Sequence, residues 1–467
     1  MLEPQRASAQ LDTDGLPAGW SWESLENIAS APVLYGILQP GPDTPDGIPY
    51  VRPTEITQDV IDLPSIRRTT PTISAKYKRS ILRADDIILS IVGTIGKVAV
   101  VPPELEGGNI TQSSVRIRVR PELSSSRFIA WALRSPVLTQ QYDRHRLGTA
   151  VPRLNVAHVR ALQFPVPPLD EQQRIVAEIE KQFTRLEAGG ASLKRVQAAL
   201  KRYRASVLKA ACEGRLVPTE AELARRESRP YEPATTLLAR ILKERHENWV
   251  GRGKYKEPAA LKDSVARLPE GWTSASVEQT GQIETGFTPP KANAENYGQD
   301  VPFVKPPELR DCTVASAADN LSKLGASNGT TAPRNSILVS CIGNLGKTAL
   351  ATVEVAFNQQ INAIIPSLEE TARWIFYAVQ QLAFREQLEA VASATTISIV
   401  NKSKFSSLVI PLPPLAEQHR IVAEVERRLS VIEELEAVVT ANLQRATRLR
   451  QAILHRAFSG ELIEASA

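Results

Sequence analysis

A sixteen-residue segment occurs twice in this chain, and that repeat limits what the chain can fold into more than any other feature. Residues 165–180 read PVPPLDEQQRIVAEIE and residues 411–426 read PLPPLAEQHRIVAEVE, which agree at 12 of 16 positions. The spacing of 246 residues is much longer than the period of a solenoid. The chain is therefore one large unit used twice, an organisation suited to a target with two like halves.

The duplication extends over most of the chain. The same offset runs without a gap from Asn155 and Asn401 to Val217 and Ile463. Upstream, the motif Leu-Pro-x-Gly-Trp begins at 16 and again at 268, and Gly-x-x-Gly-Lys begins at 93 and again at 343. Each half is thus a diverged block followed by a nearly unchanged block.

The composition is that of an ordinary globular protein. The 467 residues, of which 42% are hydrophobic and 23% charged, leave room for about two to four domains. The three cysteines form no close pair, which argues against a disulfide framework or a zinc site and favours a reducing compartment. There is no run of 18 apolar residues and no signal peptide, so we expect a cytoplasmic protein with a disordered leader at 1–15 and no membrane partner.

The formal net charge is +5, and its distribution along the chain is uneven. Lys and Arg outnumber Asp and Glu by 17 to 13 over residues 16–164 and by 10 to 6 over 165–218. Over 268–410 the balance reverses to 10 against 13. A nucleic-acid partner fits the first two segments, whereas the third would need local basic patches.

The nearly unchanged block predicts one long helix in each half. The prolines at 165, 167 and 168 cannot lie inside a helix, so the first helix should begin after them, with Asp170 as its N-cap. Gly214 and Gly460 stand where a left-handed C-terminal stop is expected, and Gly189-Gly190 predicts a local bend. The apolar residues recur at heptad spacing, at Ile175, Ile179, Phe183, Leu186, Leu193, Val196, Leu200, Tyr203 and Val207, and at Ile421, Val425, Leu429, Ile432, Val439, Ala446, Leu449 and Ile453.

These helices determine the expected fold class. Each is about 40 residues, or about 60 Å, long, which is too long to bury its stripe against one compact domain. We expect them to bury each other, although two separate amphipathic helices remain the alternative. The prediction is an α+β fold, with two similar mixed α/β domains separated by an antiparallel pair of long coiled-coil helices and a pseudo-twofold internal duplication.

The diverged blocks, 16–164 and 268–410, alternate β-rich runs with turn signals. Strands are predicted at 87–92, 114–119 and 337–342, because these runs are rich in β-branched residues. Helices are predicted at 127–146 and 371–390, with Trp131 and Trp374 near their starts. Residues 219–267 form a connector, with a helix at 234–250 followed by a basic segment at 251–256.

The Gly-x-x-Gly-Lys turn resembles the end of a phosphate-cradling P-loop, but the match is incomplete. Cys341 and Ile91 stand where the first glycine should be, and Val98 follows Lys97 where Ser or Thr is required. An NTP site is therefore not expected. The turn either presents backbone N–H groups and a lysine to a DNA phosphate or is a plain hairpin turn, and both interpretations stay open.

Amide side chains close to these turns are candidates for base contacts, because Asn and Gln can bond adenine bidentately. They could equally be turn formers. Basic residues nearby suit phosphate contacts, which set position without reading sequence. The DNA-binding candidates are Arg52, Lys76, Lys78, Arg79, Lys97, Asn109, Gln112, Arg153, Lys305, Asn344, Lys347, Asn358, Gln359, Gln360 and Lys402.

No catalytic constellation is present in the sequence. The Pro-Pro pairs do not match the Asp/Asn-Pro-Pro-Tyr/Phe site of amino-methyltransferases, and no complete Gly-x-Gly-x-x-Gly, His-Glu-x-x-His, Gly-x-Ser-x-Gly or Cys-x-x-Cys occurs. The five histidines are scattered and indicate no metal site. A PD-(D/E)XK-type nuclease, whose carboxylates are loosely spaced, is not favoured. We therefore expect a protein that is not itself an enzyme.

The repeated Pro-x-Pro-Pro-Leu-x-Glu-Gln-x-Arg-Ile-Val segment, the Leu-Pro-x-Gly-Trp openings and the Gly-x-x-Gly-Lys turns resemble those of the specificity (S) subunit of type I restriction–modification systems. The resemblance covers residues 16–463. It implies that 16–164 and 268–410 are target-recognition domains 1 and 2, each reading one half of a split double-stranded DNA sequence. It also implies that 165–218 and 411–467 are helical scaffolds that fix the spacing, joined by the helical connector 219–267.

The same resemblance implies partners and cofactors. Two modification subunits would carry S-adenosylmethionine and methylate adenine, and restriction (translocase) subunits would add translocation and cleavage driven by ATP with Mg²⁺. No cofactor would be bound by this chain. The matched helix-entry residues are candidates for partner docking or for scaffold packing, namely Glu171, Gln172, Arg174, Glu417, Gln418 and Arg420. A coiled-coil adaptor with two protein-binding domains is the competing class, and an autonomous methyltransferase is a third.

Overall fold

Two helices of 44 residues each carry the repeated segment in the computed structural model of the chain. The first long helix spans Leu169–Cys212 and the second spans Leu415–Phe458. The structure describes residues 15–57, 59–148, 151–249, 254–259, 261, 267–393 and 397–463. The predicted disordered leader, apart from its last residue, and the first three residues of the predicted basic segment 251–256 lie outside the described residues.

The chain divides into two compact units, and the division cuts both long helices. The first unit comprises Met1–Lys194 and Val439–Ala467, and the second comprises Arg195–Val438. Each unit therefore contains one globular domain, one part of the first long helix and one part of the second. The sequence-based boundaries at 165 and 411 separate each globular domain from the helix that follows it, and they stay a prediction.

The ends of the long helices follow from local sequence. Asp170 lies in the first turn of its helix and not at the predicted N-cap, where its charge still favours the positive end of the helix dipole. Gly214 and Gly460 have φ of +67° and +76°, which confirms the left-handed stop after each helix. The first long helix continues through Gly189-Gly190, so the predicted bend does not interrupt it.

Ion pairs between the two long helices show that they run antiparallel. In the first unit, Arg450 lies 3.4 Å from Glu187. In the second unit, Arg204 lies 3.3 Å from Glu433. The residue numbers of the partners on the second helix fall as those on the first helix rise, which confirms the predicted antiparallel pair.

The heptad stripe is buried only in part. Ile179 and Val425 are fully buried, but Val196, Tyr203 and Leu449 keep about 45% of their surface exposed. In a straight α-helix, residues at heptad spacing rotate by about 20° per heptad around the helix axis. Over several turns, residues of the stripe therefore turn away from the facing helix. The prediction that the whole stripe is buried between the helices was wrong for these three residues.

The first globular domain is built from short strands and helices in the first unit. Its strands are β1 (Ser21–Ser24), β2 (Leu34–Tyr35), β3 (Ile48–Val51), β4 (Ile56–Thr57), β5 (Val60–Ile61), β6 (Arg67–Thr69), β7 (Ile87–Ser90), β8 (Val98–Val100), β9 (Asn109–Ile110), β10 (Ser114–Ile117) and β11 (Gln163–Val166). They form sheets with the orders β2-β10-β7-β8 and β6-β3-β9 and the two-stranded pairs β1-β11 and β4-β5. The helices are α1 (Leu25–Ile28), α2 (Pro71–Lys76), α3 (Ser126–Leu133), α4 (Pro136–His145) and α5 (Val156–Arg160).

The first domain shares a hydrophobic core with parts of both long helices. Strand β7 is buried on both faces, as expected for a central strand. Ile88 faces a core between the two larger sheets. Ile87 and Leu89 face the second core, which also contains Ile179 of the first long helix and Ile453 of the second.

The second unit contains the connector and the second globular domain. After the first long helix, α6, the connector forms α7 (Glu220–Glu227) and α8 (Ala234–Glu247). The strands that follow are β12 (Thr273–Ser276), β13 (Gly281–Thr285), β14 (Tyr297–Val304), β15 (Cys312–Val314), β16 (Asp319–Leu321), β17 (Thr331–Ala332), β18 (Ile337–Ser340), β19 (Thr348–Ala351), β20 (Val355–Phe357), β21 (Ile361–Pro366) and β22 (Val409–Leu412). The helices are α9 (Val277–Thr280), α10 (Lys323–Asn328), α11 (Ala372–Ala378), α12 (Leu382–Val391) and α13 (Lys402–Ser406), before the second long helix, α14. The sheets have the orders β13-β21-β18-β19-β15, β16-β14-β20-β17 and β12-β22.

Two predicted helices are each broken in two. The helix expected at 127–146 ends at Leu133 and restarts at Pro136, because proline lacks a backbone N–H and fits only at the first turn. The helix expected at 371–390 is α11 followed by α12, with no proline to mark the break. Helix α7 was not predicted, although Thr219 and Glu222 form a capping box at its start.

Replacing Gly460 by alanine should lower the free energy of unfolding by about 1–2 kcal/mol or more. The residue has positive φ, and a Cβ there would lie 2.1 Å from the Cγ of Pro17. Gly189→Ala is the matched control, because a Cβ at that helical position meets nothing within 4 Å and should stabilise by up to about 1 kcal/mol. Chemical unfolding of both variants measures the difference, and equal effects would contradict the prediction.

Candidate nucleic-acid interface

The Gly-x-x-Gly-Lys turn closes the β7–β8 hairpin in the first domain and the β18–β19 hairpin in the second. The backbone N–H groups of Gly93, Gly96 and Lys97 donate to the Pro152 oxygen, the Ser90 oxygen and the Ser90 hydroxyl, at 2.8, 3.1 and 2.9 Å. The second domain repeats these bonds from Gly343 to the Ser398 oxygen and from Gly346 and Lys347 to the oxygen and hydroxyl of Ser340. These amides are already bonded within the fold, so the structure favours the hairpin-turn interpretation over a phosphate cradle.

The lysine of the first turn is also held within its domain. The Nζ of Lys97 donates to the carbonyl oxygen of Pro53 at 2.8 Å. A phosphate contact through Lys97 would require that bond to break. Lys347, its counterpart, is half-buried.

Each turn belongs to a surface where several segments meet at the end of a central strand. In the first domain, Ile91 N–H donates to the Ser113 oxygen and Leu154 N–H donates to the Ile91 oxygen, both at 2.8 Å. Gln112 N–H donates to the Ile37 oxygen at 2.9 Å. We call residues 35–38, 93–97, 111–113 and 151–153 the first strand-end surface.

The second domain has the same arrangement. Cys341 N–H donates to the Gln360 oxygen and Val400 N–H donates to the Cys341 oxygen, both at 2.8 Å. Phe287 N–H donates to the Phe357 oxygen at 3.0 Å, as Ile37 N–H does to the Ile110 oxygen at 2.7 Å in the first domain. We call residues 285–288, 343–347, 358–360 and 397–399 the second strand-end surface.

A glycine allows one segment of each surface to cross closely over another. A Cβ at Gly36 would lie 1.9 Å from the Ile110 oxygen, and a Cβ at Gly286 would lie 2.1 Å from the Asn358 oxygen. Only glycine fits such a close approach of two backbones. Sequence reasoning missed this element, although Gly-x-x-x-Pro at 36–40 and 286–290 was a signal for it.

The two surfaces share a backbone framework but present different side chains. Gln112 and Gln359 occupy corresponding positions and both are exposed. Around them the exposed or half-exposed side chains differ between corresponding positions, namely Tyr35 and Thr285, Leu38 and Thr288, Thr94 and Asn344, Val151 and Ile397, and Arg153 and Ile399. A common frame with variable exposed groups is what two readers of different base sequences require.

Two of the predicted base-contacting amides are instead parts of the interior. Asn109 is fully buried, where its Oδ1 accepts from the Ser80 hydroxyl at 2.7 Å and its Nδ2 donates to the Ser74 hydroxyl at 3.3 Å. Asn358 is buried as well, and its Nδ2 donates to Gln360 Oε1 at 3.0 Å. Base contact by Asn109 or Asn358 stays a prediction, and it would require these hydrogen bonds within the fold to break.

Three of the predicted phosphate-contacting residues form an exposed basic element. Lys76 lies at the end of α2, and Lys78 and Arg79 lie in the 3-10 turn that follows it. Asn109 holds this element against strand β9, which leads directly into the first strand-end surface. The corresponding helix α10 of the second domain carries one basic residue, Lys323.

Other predicted phosphate contacts are engaged in ion pairs. Hydrogen bonding to Glu55 raises the pKa of Arg52, and that carboxylate is itself buried. Lys305 pairs with Asp319. Lys402 lies 3.3 Å from Glu284. A phosphate would have to displace a carboxylate at each of these positions.

The helix-entry residue Gln172 packs the scaffold. It is fully buried, and its Oε1 accepts from the Ser124 hydroxyl at 2.7 Å. Its Nε2 donates to the oxygens of Leu123 and Pro167 at 3.0 and 2.9 Å. Gln418 is buried in the second unit, where its Nε2 donates to the Pro413 oxygen at 2.9 Å. Both amides therefore support scaffold packing over partner docking.

Glu417 joins the second long helix to the connector. Its Oε1 accepts from Trp272 Nε1 at 3.0 Å and its Oε2 accepts from Glu220 N–H at 2.8 Å, at the N-terminus of α7. Burial raises the pKa of Glu417. Its neighbour Arg420 lies 2.6 Å from the Glu220 carboxylate, so this helix entry is also occupied by the fold. In the first copy, Glu171 is half-buried and Arg174 is exposed.

The described residues show neither a metal site nor a membrane-spanning helix. Among them, no three His, Cys, Asp or Glu side chains are grouped in a way that could hold a metal ion. None of the described helices combines the length and apolar character needed to span a membrane.

The family described as "Type I restriction modification DNA specificity domain" matches residues 42–192 and 269–441, which is more than half of the chain. The specificity subunit of the type I restriction enzyme HindI from Haemophilus influenzae is 32% identical over 199 residues, covering 42% of this chain and 42% of that protein. The EcoBI specificity subunit from Escherichia coli is 30% identical over 203 residues, covering 43% of each. The chain thus spans less than half the length of these curated relatives.

A solved structure has the same fold over nearly the whole chain. Its description reads "Structural basis underlying complex assembly and conformational transition of the type I R-M system". The alignment covers 96% of this chain and 99% of that one, with a TM-score of 0.65 and 24% identity.

Replacing Glu220 by glutamine should destabilise the protein by about 1–3 kcal/mol at neutral pH, because it removes the carboxylate shared by Arg229 and Arg420. Burial opposes ionisation of Glu220, but hydrogen bonds from the two arginines outweigh it and lower its pKa. The stabilisation is therefore present above the ordinary carboxyl pKa of about 4.5 and is lost as pH falls through the lower pKa of the folded state. Melting temperatures of wild type and variant should converge over that range, and a constant difference down to about pH 3 would contradict the prediction.

Proposed function

The chain belongs to the family of type I restriction–modification DNA specificity domains, and on that premise we propose that it selects the DNA sequence on which a type I restriction–modification complex acts. Each globular domain reads one half of a bipartite double-stranded target. The antiparallel long helices fix the distance between the two half-sites. The chain performs no chemistry of its own.

The observation that carries the proposal is the pair of strand-end surfaces. Their backbone hydrogen bonds correspond segment by segment, whereas the exposed side chains around Gln112 and Gln359 differ. Base edges in the major groove are read by side chains at fixed positions, and an amide can bond adenine bidentately. A frame shared by the two domains keeps those positions constant, and the side chains that differ set a different base preference for each half-site.

The charge distribution supports a DNA target as well. The basic element Lys76, Lys78 and Arg79 lies next to the first strand-end surface and is exposed. Phosphate contacts supply much of the affinity of DNA-binding proteins without reading sequence. The corresponding helix α10 of the second domain carries one basic residue, Lys323, so the first domain supplies more of the phosphate contact through this element.

In this function, catalysis and cofactors belong to partner subunits. Two modification subunits dock on the duplicated scaffold, carry S-adenosylmethionine and methylate adenine, and restriction subunits contribute translocation and cleavage with ATP and Mg²⁺. The internal duplication supports two equivalent partners. Gln172, Glu417 and Gln418 are buried and hold the scaffold together, which leaves Glu171 and Arg174 as the more accessible docking candidates of the first copy.

An electrophoretic mobility shift with the purified modification partner, with and without S-adenosylmethionine, tests the function. Retardation of duplexes that carry the sequence methylated in the host genome is expected. Failure to retard any duplex would favour the coiled-coil adaptor. Transfer of a radiolabelled methyl group by the isolated chain would favour the autonomous methyltransferase.

Gln112→Ala should weaken discrimination at one half-site only, and Gln359→Ala at the other only. Loss of one bidentate base contact reduces discrimination by about 1–3 kcal/mol, or roughly 5- to 150-fold. Both side chains are exposed, so the variants should unfold like the wild type. Competition binding with single-base substitutions in each half-site measures the effect. A change in both half-sites from one substitution would contradict independent reading.

The triple variant Lys76→Ala, Lys78→Ala, Arg79→Ala should bind all duplexes more weakly, whatever their sequence. Each lost phosphate contact reduces the slope of log K against log salt by about 0.9, so the slope should fall by up to about 2.7. Lys181→Ala is the control, because Lys181 is an exposed lysine paired with Glu178 on the first long helix. An unchanged salt slope in the triple variant would remove this element from the interface.

A further inference from the structure

Five side chains of the first unit form a closed ring of contacts that joins the first domain to both long helices. Asp59 lies 2.9 Å from Arg134 Nε and 2.8 Å from Arg450. Arg134 lies over the Trp131 ring at 4.6 Å, and Arg450 lies over the Phe183 ring at 4.4 Å. Trp131 meets Phe183 edge to face at 5.0 Å, which closes the circle. We call these five residues the Asp59 ring.

The members of the Asp59 ring come from four places in the fold. Asp59 lies between strands β4 and β5, with φ of +71°. Trp131 and Arg134 lie at the C-terminal end of α3. Phe183 belongs to the first long helix and Arg450 to the second. The ring therefore connects a hairpin and a helix of the domain to both members of the scaffold pair.

The carboxylate of Asp59 is central because two guanidinium groups share it. Burial lowers the pKa of Arg134 to about 10, although the charge of Asp59 acts in the opposite direction. Arg134 also donates to the Val98 oxygen at 2.8 Å, and Arg450 also pairs with Glu187. Without the carboxylate, two guanidinium groups would face each other at a partly buried site, and their repulsion would oppose the present placement of the domain on the helices.

The repeated architecture does not by itself require this ring. At the positions that correspond to Phe183 and Arg134, the second half has Leu429 and Tyr377. The counterpart of Arg450 is Arg204, which pairs with Glu433 on the facing helix. The second domain is held to its helix through Glu426, which pairs with Arg373 and accepts from the Tyr377 hydroxyl at 3.4 Å.

We propose that the Asp59 ring sets the orientation in which the long helices present the first recognition domain to its half-site. The inference rests on the proposed function and adds positioning residues to it. Asp59 and Arg450 act through the placement of the strand-end surface and not through contact with bases. Their loss therefore changes which separation of the half-sites is accepted, while the base preference within each half-site stays the same.

The test uses the full chain in complex with its modification partner. Duplexes carry the two half-sites read from the genomic methylation pattern, with the native spacer or with one base pair added or removed. The variants are Asp59→Asn, which tolerates positive φ and keeps the size of the side chain, Arg450→Gln and Arg450→Lys. Arg127→Gln is the matched control, because it breaks an exposed ion pair between the same domain and the first long helix, with Glu180 at 3.5 Å.

The readout is the ratio of methylation rates at native and altered spacers. Misplacement of a reacting group by about 1 Å can cost on the order of 100-fold in rate, so Asp59→Asn and Arg450→Gln should lower the ratio by about tenfold. Arg450→Lys, which keeps the charge, should restore part of it, and Arg127→Gln should match the wild type. Single-base substitutions in each half-site should have wild-type effects in every variant.

Two results would overturn the inference. One is an unchanged spacer ratio in Asp59→Asn or Arg450→Gln protein whose melting temperature is that of the wild type. The other is an equal loss in the Arg127→Gln control. If Asp59→Asn does not fold, Arg450→Gln and Arg450→Lys are judged by the same ratio. A wild-type complex that methylates no duplex selectively would overturn the proposed function itself, which distinguishes the two failures.

Discussion

The hydrophobic core that the first globular domain shares with both long helices is the interaction on which the rest of its unit depends. Ile87 and Leu89 of the central strand contribute to it from the domain, and Ile179 and Ile453 from the two helices. Burial of these apolar groups drives the association of the domain with the helices but has little directional preference of its own. Close packing and directed polar contacts such as those of Asp59 and Gln172 set the orientation.

The long helices and their antiparallel pairing could be predicted from the sequence, because a repeated block with heptad spacing has few ways to bury its apolar face. The glycine stops at 214 and 460 could be predicted for the same kind of local reason. The exposure of Val196 and Tyr203 could not be predicted. A heptad stripe turns slowly around a straight helix, and which of its residues still face the second helix depends on the position of that helix. The break between α11 and α12 had no local signal in the sequence.

The candidate interface was only partly predictable. Residue type alone cannot separate Asn109, which is buried, from Gln112, which is exposed three residues later. In the same way, sequence alone does not show whether a basic side chain is available to a phosphate or is paired with a carboxylate. Lys78 is exposed, whereas Arg52 is hydrogen-bonded to Glu55. What the sequence did contain was the repetition itself, which located the Gly-x-x-Gly-Lys turn and the neighbouring amide side chains of each strand-end surface but not the glycine-containing segment that crosses over them.

Each long helix is followed by a glycine that packs against the opening motif of a globular domain. Gly214 packs against Pro269 of the second Leu-Pro-x-Gly-Trp motif, and Gly460 packs against Pro17 of the first. The first of these contacts is bridged covalently by the connector, whereas the second joins residues that are far apart in sequence. Within each unit, the end of a long helix is thereby fixed to the opening of the globular domain that the same unit contains, so a side chain added at either glycine would disturb both.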